Sequence, residues 1–455
     1  MPQVPRSRKF AYAVGDIGVF GCITAINSYL MFFYTDVALL GVGLAGFVKG
    51  LARFFDAVSD PVVGYCSDQT KTRWGRRRPW ILGAALPFGL SLVLLFRPPE
   101  TDNQQVLFVY FLIAYLVTYT FLTMILTPYY ALGAELSSDY QERTQIVALR
   151  TLFANIGAIL GGFLPFVAAR YDNLRTGYAE VTQLFAAVAV AAVLLVLFAR
   201  ERPSVSQHST ASIGDFLHGY VLCLRNRAFR QLVATFFVMS LGGGLNQAVA
   251  VYALIYWLGF APQEVGIIIP AYLGTACLAL PFWTWLSGRI GKDVALRRLL
   301  VYETVILSMI YFLIPSKPLV YAFLMAAGFG VAGFINAFSL LADILDADEL
   351  ETGTQRGGAF FGFWTFSVKV AWAAGAVLVG WMLALVGYVP NVEQTPLVIE
   401  TMRWLYGPAP ALSFVAGYFF FRGFPLTRER LSEIQDALAR RREVMGTTQP
   451  TCQVR

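Results

Sequence analysis

The sequence predicts an all-α integral membrane protein of twelve transmembrane helices in two pseudo-symmetric six-helix bundles. Three observations carry that prediction. Of 455 residues, 57% are hydrophobic and 14% charged, whereas soluble domains carry roughly 25% charged residues. The apolar runs last about 18–27 residues, the length of a helical span rather than the about 9–11 of a barrel strand. Lys and Arg gather in alternate loops: about 27 of the 35 basic residues fall in the even-numbered loops and at the two ends, and about five (Arg97, Arg170, Arg175, Lys317, Arg403) in the odd loops. That asymmetry predicts both termini on the cytoplasmic side. It also accounts for the net charge of +7 as membrane topology, without a nucleic-acid partner.

Taken in order, the spans are expected at 10–34, 42–66, 79–96, 106–132, 146–168 and 179–198 in the first half. In the second half they are expected at 231–258, 265–286, 299–314, 318–344, 358–386 and 401–421. Residues 1–199 read as the first bundle, 200–230 as a polar cytoplasmic linker containing SVSQHSTAS, 231–422 as the second bundle, and 423–455 as a charged cytoplasmic tail helix, solvated or at the membrane surface. Arg6, Arg8 and Lys9 lead into a run too long for a signal-peptide core. The loops after the second and eighth spans both carry Gly, Asp and an Arg/Lys cluster, as two duplicated halves would. The cysteines Cys22, Cys66, Cys223, Cys277 and Cys452 stand apart, with no disulfide or zinc spacing. His208 and His218 both fall in the central connection, so no span carries a nucleophile–base pair and an intramembrane enzyme is not expected.

The chemistry concentrates in the second span, which reads KGLARFFDAVSD at residues 49–60. Helical spacing puts Lys49, Arg53, Asp56 and Asp60 on one stripe. Each charge costs about 2.5–3.5 kcal/mol at the membrane centre on insertion scales, so the four should pair, face a cavity or bind something. Asp56 and Asp60 lie one turn apart, suited to Na+ through oxygen ligands or to a proton. Arg53 is expected to organise the acidic pair, and Lys49 either meets an anionic solute group or reaches the interface. Lys369 is the one basic residue that the topology count leaves within the spans of the second half, and Asp16 is expected to partner an arginine. Tyr129, Tyr130, Trp364, Trp372 and Asn246 are candidate contacts for a sugar ring or an amphiphile.

Five blocks resemble the major facilitator superfamily, and within it the melibiose-permease-like glycoside–pentoside–hexuronide:cation symporters. They are Gly64 and Asp68 with Gly75, Arg76, Arg77 and Arg78; ARFFDAVSDPVVG at 52–64; TPYYALGAEL at 127–136 with Glu142 and Arg143; ADILDADELETGTQRGG at 342–358; and WTFSVKVAWAAGA with GYVPNVEQ at 364–376 and 387–394. The resemblance covers almost the whole chain. It implies the major facilitator fold and a cation-coupled symporter working by alternating access, with a sugar- or glycoside-like solute or, alternatively, a lysophospholipid or other amphiphile. It implies a cation site of Asp56, Asp60 and the Thr123 hydroxyl, with Lys369 crossing the cavity to meet the carboxylates. It implies a cytoplasmic gate from Asp68, Arg76, Arg77, Arg78 and Arg143, matched in the second half by Asp343, Asp346, Glu349 and Arg356. The chain departs from the family where two sugar-site carboxylates fall on Leu126 and Phe20, with Thr127 and Asn27 left to supply polarity. No cofactor is expected beyond Na+ or H+ as coupling ion. A functional monomer in a bacterial inner membrane, with membrane lipid around it, completes the expectation.

Overall fold

The computed structural model describes residues 4–137, 139–198, 219–312, 316–354 and 356–447. Most of the expected linker, including His208 and His218, lies outside the described residues, as does Cys452. The first six spans are α1 (Arg6–Phe32, continued by a wide turn at Phe33–Val37), α2 (Val42–Gln69), α3 (Arg78–Leu95), α4 (Gln104–Glu135), α5 (Tyr140–Gly162, followed by a short Leu164–Ala168 helix) and α6 (Leu174–Leu195). The second six are α7 (Arg227–Tyr252, continued at Ala253–Trp257), α8 (Pro262–Ile290), α9 (Lys292–Ile310), α10 (Lys317–Val331, running through Ala332–Phe334 into Ile335–Thr352), α11 (Gly357–Leu385) and α12 (Pro396–Tyr406, broken before Pro408–Phe421). All twelve expected spans are present. Nine, among the described residues, are long and apolar enough to cross a membrane by those criteria alone. The other three miss for visible reasons. α2 carries the charged stripe, α9 opens with the polar KDVALRR, and α12 is split at Gly407.

Local chemistry sets the helix starts. Asn103, Asp139, Asn173 and Asn226 cap α4, α5, α6 and α7, their side chains accepting from free first-turn N–H groups. Gly353, at φ 70°, closes α10 in the left-handed region that side-chain-bearing residues avoid.

Within the first half, α1 and α5 lie backbone to backbone. A Cβ on Gly157 would sit 2.3 Å from the Ile17 carbonyl oxygen, and one on Gly161 would sit 2.1 Å from that of Gly21. Small residues four apart let membrane helices approach this closely, where dispersion rather than hydrophobic burial drives association. Gly161→Leu is therefore expected to destabilise the bundle by at least the ~1–3 kcal/mol of an overpacked core. A lowered thermal unfolding midpoint of the purified protein checks this, and an unchanged midpoint would refute the close packing.

The tail helix α13 (Arg428–Thr447), expected to be solvated or at the membrane surface, packs one side against the protein. Its charged residues leave one apolar stripe. Ile434 and Leu438 on it are 6% and 5% exposed in a cluster with Phe424 and Leu426, and Arg428 donates to the Arg289 carbonyl at 3.1 Å. The helix is docked on the second half, beside the inner end of α10.

The two halves meet mainly at the face opposite the chain termini. There Gly46 of α2 rests on Gly380 of α11, Gly266 of α8 on Phe166, and Gly162 on Pro270. At the terminal face the described ion pairs stay within one half: Lys9–Glu142 at 2.9 Å and Arg76–Glu135 at 2.6 Å in the first, Lys292–Asp343 at 2.8 Å and Arg356–Asp348 at 2.6 Å in the second.

Candidate functional site

The α2 stripe is the centre of the site. Lys49 and Asp56 are buried, and Arg53 and Asp60 half-buried. Pro61 lies inside the helix directly after Asp60 and has no N–H to return to the Ala57 carbonyl, which loosens the ladder beside the carboxylates. Lys369 of α11 reaches across from the second half. Its ammonium lies 2.8 Å from Asp56 Oδ2 and 2.6 Å from Asp60 Oδ2. Thr123 of α4 donates to Asp56 Oδ1 at 3.0 Å. One cation, two carboxylates and one hydroxyl thus converge from three helices and both halves, near the middle of those helices. These are hard oxygen donors, the set that suits Na+, and each carboxylate can equally take a proton.

One to two turns further from the terminal face, the stripe behaves otherwise than expected. Arg53 does not pair with the carboxylates. Its Nη2 donates to Asn27 Oδ1 at 2.7 Å and its guanidinium lies over the Tyr119 ring at 5.6 Å. Tyr119 also donates to Asn27 Oδ1, at 3.2 Å. The Lys49 ammonium, on a residue only 4% exposed, donates to the Asn27 carbonyl at 2.9 Å. It does not reach the interface. Lys369 has taken both carboxylates, so the amide of Asn27 is what Arg53 finds.

Towards the terminal face lies a pair the sequence only half revealed. Asp16 is 1% exposed, and Arg150 approaches its Oδ2 at 3.3 Å through Nε. The same guanidinium covers Tyr130 at 4.3 Å from the ring centroid. Asp16 thus has the arginine partner expected of it. Arg150 lies inside α5, within the fifth expected span at 146–168. Leu126 lines a narrow cleft beside Asp16 with Val19, Ile125 and Val193, an apolar wall where the family resemblance placed a carboxylate.

Three candidate solute contacts are each packed within one half in this structure. Tyr129 is 2% exposed, stacks on Tyr12 at 4.5 Å and donates to the Tyr12 carbonyl at 2.6 Å. Trp364 is 2% exposed and stacks on Phe236 at 4.3 Å. Asn246 donates to the Tyr406 carbonyl at 2.6 Å, inside the second half. Trp372 packs beside Gly243 and Gly244 of α7, and the Thr127 methyl faces Gly64. Of the aromatic candidates, Tyr130 is the one with substantial exposure, at 39%.

The expected gate residues form braces inside each half. Arg77 pairs with Asp68, donates to Ser67 Oγ at 2.8 Å and approaches Glu135 at 3.4 Å. Arg78 donates to the Leu197 carbonyl, and Arg143 to that of Ser137 at 2.5 Å. Asp343 is held by Lys292, and Arg356 pairs with Asp348 rather than with Asp346 or Glu349. Sequence reasoning missed Glu135, Lys292 and Asp348 as partners, although all three lie within or beside the quoted motifs.

It also missed the seal on the opposite face. Asp36, 6% exposed at the end of α1, accepts hydrogen bonds from the Tyr256 and Tyr388 hydroxyls of the second half, the latter at 2.7 Å. Asn391 Nδ2 donates to its backbone carbonyl at 2.7 Å. The neighbouring Thr35 hydroxyl meets that of Tyr252 at 2.8 Å. The available signal was a carboxylate immediately after an apolar span, together with tyrosines at the ends of α7 and α11.

Twelve spans in two halves, sealed at one face and joined near mid-helix by an ion bridge, define a secondary transporter of the major facilitator type. The chain belongs to the family described as MFS/sugar transport protein, which matches residues 11–428. It is 26% identical to the putative glycoside/cation symporter YagG of Escherichia coli, over 99% of this chain and 98% of that one. It is 27% identical to the sodium-dependent lysophosphatidylcholine symporter 1-B of Danio rerio, over 96% of this chain and 90% of that one. The crystal structure of a D-xylose–proton symporter superposes with a TM-score of 0.65 at 17% identity, over 92% of this chain and 97% of that one, a likeness of fold.

Proposed function

We propose that this chain is a cation-coupled symporter that moves a glycoside-like small solute by alternating access, with Na+ or a proton as the coupling ion. The observation that carries the reading is the Lys369 bridge to Asp56 and Asp60. An ammonium of one half bridges two carboxylates of the other, so in the ion-free carrier Lys369 occupies the oxygens that the coupling ion would take. An arriving cation competes with Lys369 for the same oxygens and loosens the contact between halves. Binding of ion and solute is then linked and reciprocal. The termini lie in the cytoplasm, so the sealed face with Asp36 is the outer one and this state opens inward.

A second reading, transport of a lysophospholipid or other amphiphile, is favoured by the apolar wall at Leu126 and by the kinship with a lysophosphatidylcholine symporter. A solute screen by thermal shift on purified protein, with and without Na+ and at two pH values, separates the readings. The solute whose shift grows with the ion identifies both partners. Asp60→Asn is expected to abolish ion-gradient-driven uptake in proteoliposomes while leaving insertion and folding intact. Undiminished accumulation by that variant would overturn the assignment.

A further inference from the structure

Resting on the transport reading above, we infer that the solute carries an anionic group, recognised by Lys49 and Arg53 around Asn27. The charges of the central site do not cancel. Asp56 and Asp60 are both engaged by Lys369. Neither Lys49 nor Arg53 has a carboxylate within ion-pair distance among the described residues, and both turn to one neutral side chain and its carbonyl. Two cations one turn apart on α2, deep in the membrane, repel each other and lose hydration together. Three cations face two carboxylates, leaving one positive charge in excess.

Among the described residues, no other acid forms an ion pair with Lys49 or Arg53. Asp16 is held by Arg150 on the terminal side. Asp36 lies nine residues beyond Asn27 along α1, roughly 14 Å at helical rise, and is occupied by Tyr256 and Tyr388.

The donors suit an anion that arrives from outside the chain. Arg53 is half-buried, so its planar fork is not wholly enclosed by the protein. Lys49 adds a point charge behind it, and the Tyr119 hydroxyl and Asn27 amide complete a polar surround. The shared chemistry is a carboxylate or phosphate on a small solute, as in a hexuronide or the head group of a lysophospholipid. One consequence concerns the coupling stoichiometry. A monovalent cation and a monoanion add no net charge, so the loaded and empty carriers bear the same charge and one-to-one transport is electroneutral.

The test uses purified full-length protein and matched probes: methyl β-D-glucuronide against methyl β-D-glucoside, lysophosphatidylglycerol against monoacylglycerol, and phosphate against chloride at equal ionic strength. In at least one pair the anionic member is expected to raise the unfolding midpoint and its neutral or chloride counterpart to leave it unchanged. Which pair responds identifies the source of the anion. Lys49→Met is expected to raise the half-saturating concentration roughly tenfold or more, the cost of one charge-assisted contact, and Lys49→Arg to retain binding. The inference is overturned if no anionic member exceeds its counterpart on the wild-type protein, a comparison that stands even where Lys49→Met fails to fold. It is overturned equally if Lys49→Met and Lys49→Arg bind alike. Ion-driven uptake that prefers the neutral members sinks this inference alone. Anion binding without any ion-driven uptake sinks the transport reading instead.

Discussion

Lys369→Met is expected to abolish ion-driven accumulation and to destabilise the protein, with the two effects separable. The ammonium touches Asp56 at 2.8 Å and Asp60 at 2.6 Å. Without it, two carboxylates one turn apart face each other with Thr123 as their remaining partner. Removing one member of a buried ion cluster costs roughly 3–5 kcal/mol, because the charge left behind is neither paired nor hydrated. The second variant isolates the mechanism. Adding Asp60→Asn to Lys369→Met removes the repulsion, so most of the lost stability should return, giving a coupling energy well outside additivity. Transport should not return, since the ion then has one carboxylate and no competitor on the other half. Thermal unfolding midpoints and counterflow against net accumulation in proteoliposomes supply the two readouts. Recovery of accumulation by the double variant would show that the bridge is a structural brace. A Lys369→Met protein as stable as its parent would show that the carboxylates find another partner.

The same ion bridge illustrates what a sequence can and cannot carry. The twelve spans were legible because the bilayer sets a length and a composition that few soluble helices satisfy. Asp56, Asp60 and Lys369 were legible because charge inside a span has so few tolerable explanations. Their immediate neighbours were not. Asp16 was expected to meet an arginine, but no spacing says that Arg150 of α5 is the one the fold carries to it. Lys49 and Arg53 find Asn27, and the Lys49 acceptor is a backbone carbonyl, which no residue pattern encodes. Tyr129 and Trp364 were candidates for the solute because an aromatic ring suits a cavity and a core alike. In this structure they stack on Tyr12 and Phe236, partners that only the fold brings to them. The Asp36 seal joins residues up to 355 positions apart, a pairing beyond the reach of local spacing.

That seal and the glycines beneath it lead to a second large effect. Where α2 meets α11, a Cβ on Gly46 would lie 2.8 Å from both the Ala376 carbonyl oxygen and the Gly380 Cα, and one on Gly50 would lie 2.3 Å from the Val377 side chain. Backbone is on both sides of the Gly46 contact, so no side-chain rotation makes room. Gly46→Trp is therefore expected to hold the halves apart at the Asp36 face and to exclude the state described here. Excluding one of the two access states by about 2.7 kcal/mol or more lowers its population roughly a hundredfold, and net uptake should fall by at least as much. The Tyr252 side chain should report the change directly, since with that face closed it is 1% exposed and bonded to Thr35. In a background stripped of other cysteines, Tyr252→Cys should resist a membrane-impermeant thiol reagent applied to the Asp36 face and become reactive when Gly46→Trp is added. Normal uptake by Gly46→Trp would mean that α2 and α11 do not need to close on one another during the cycle, and the glycine contact would lose its functional meaning.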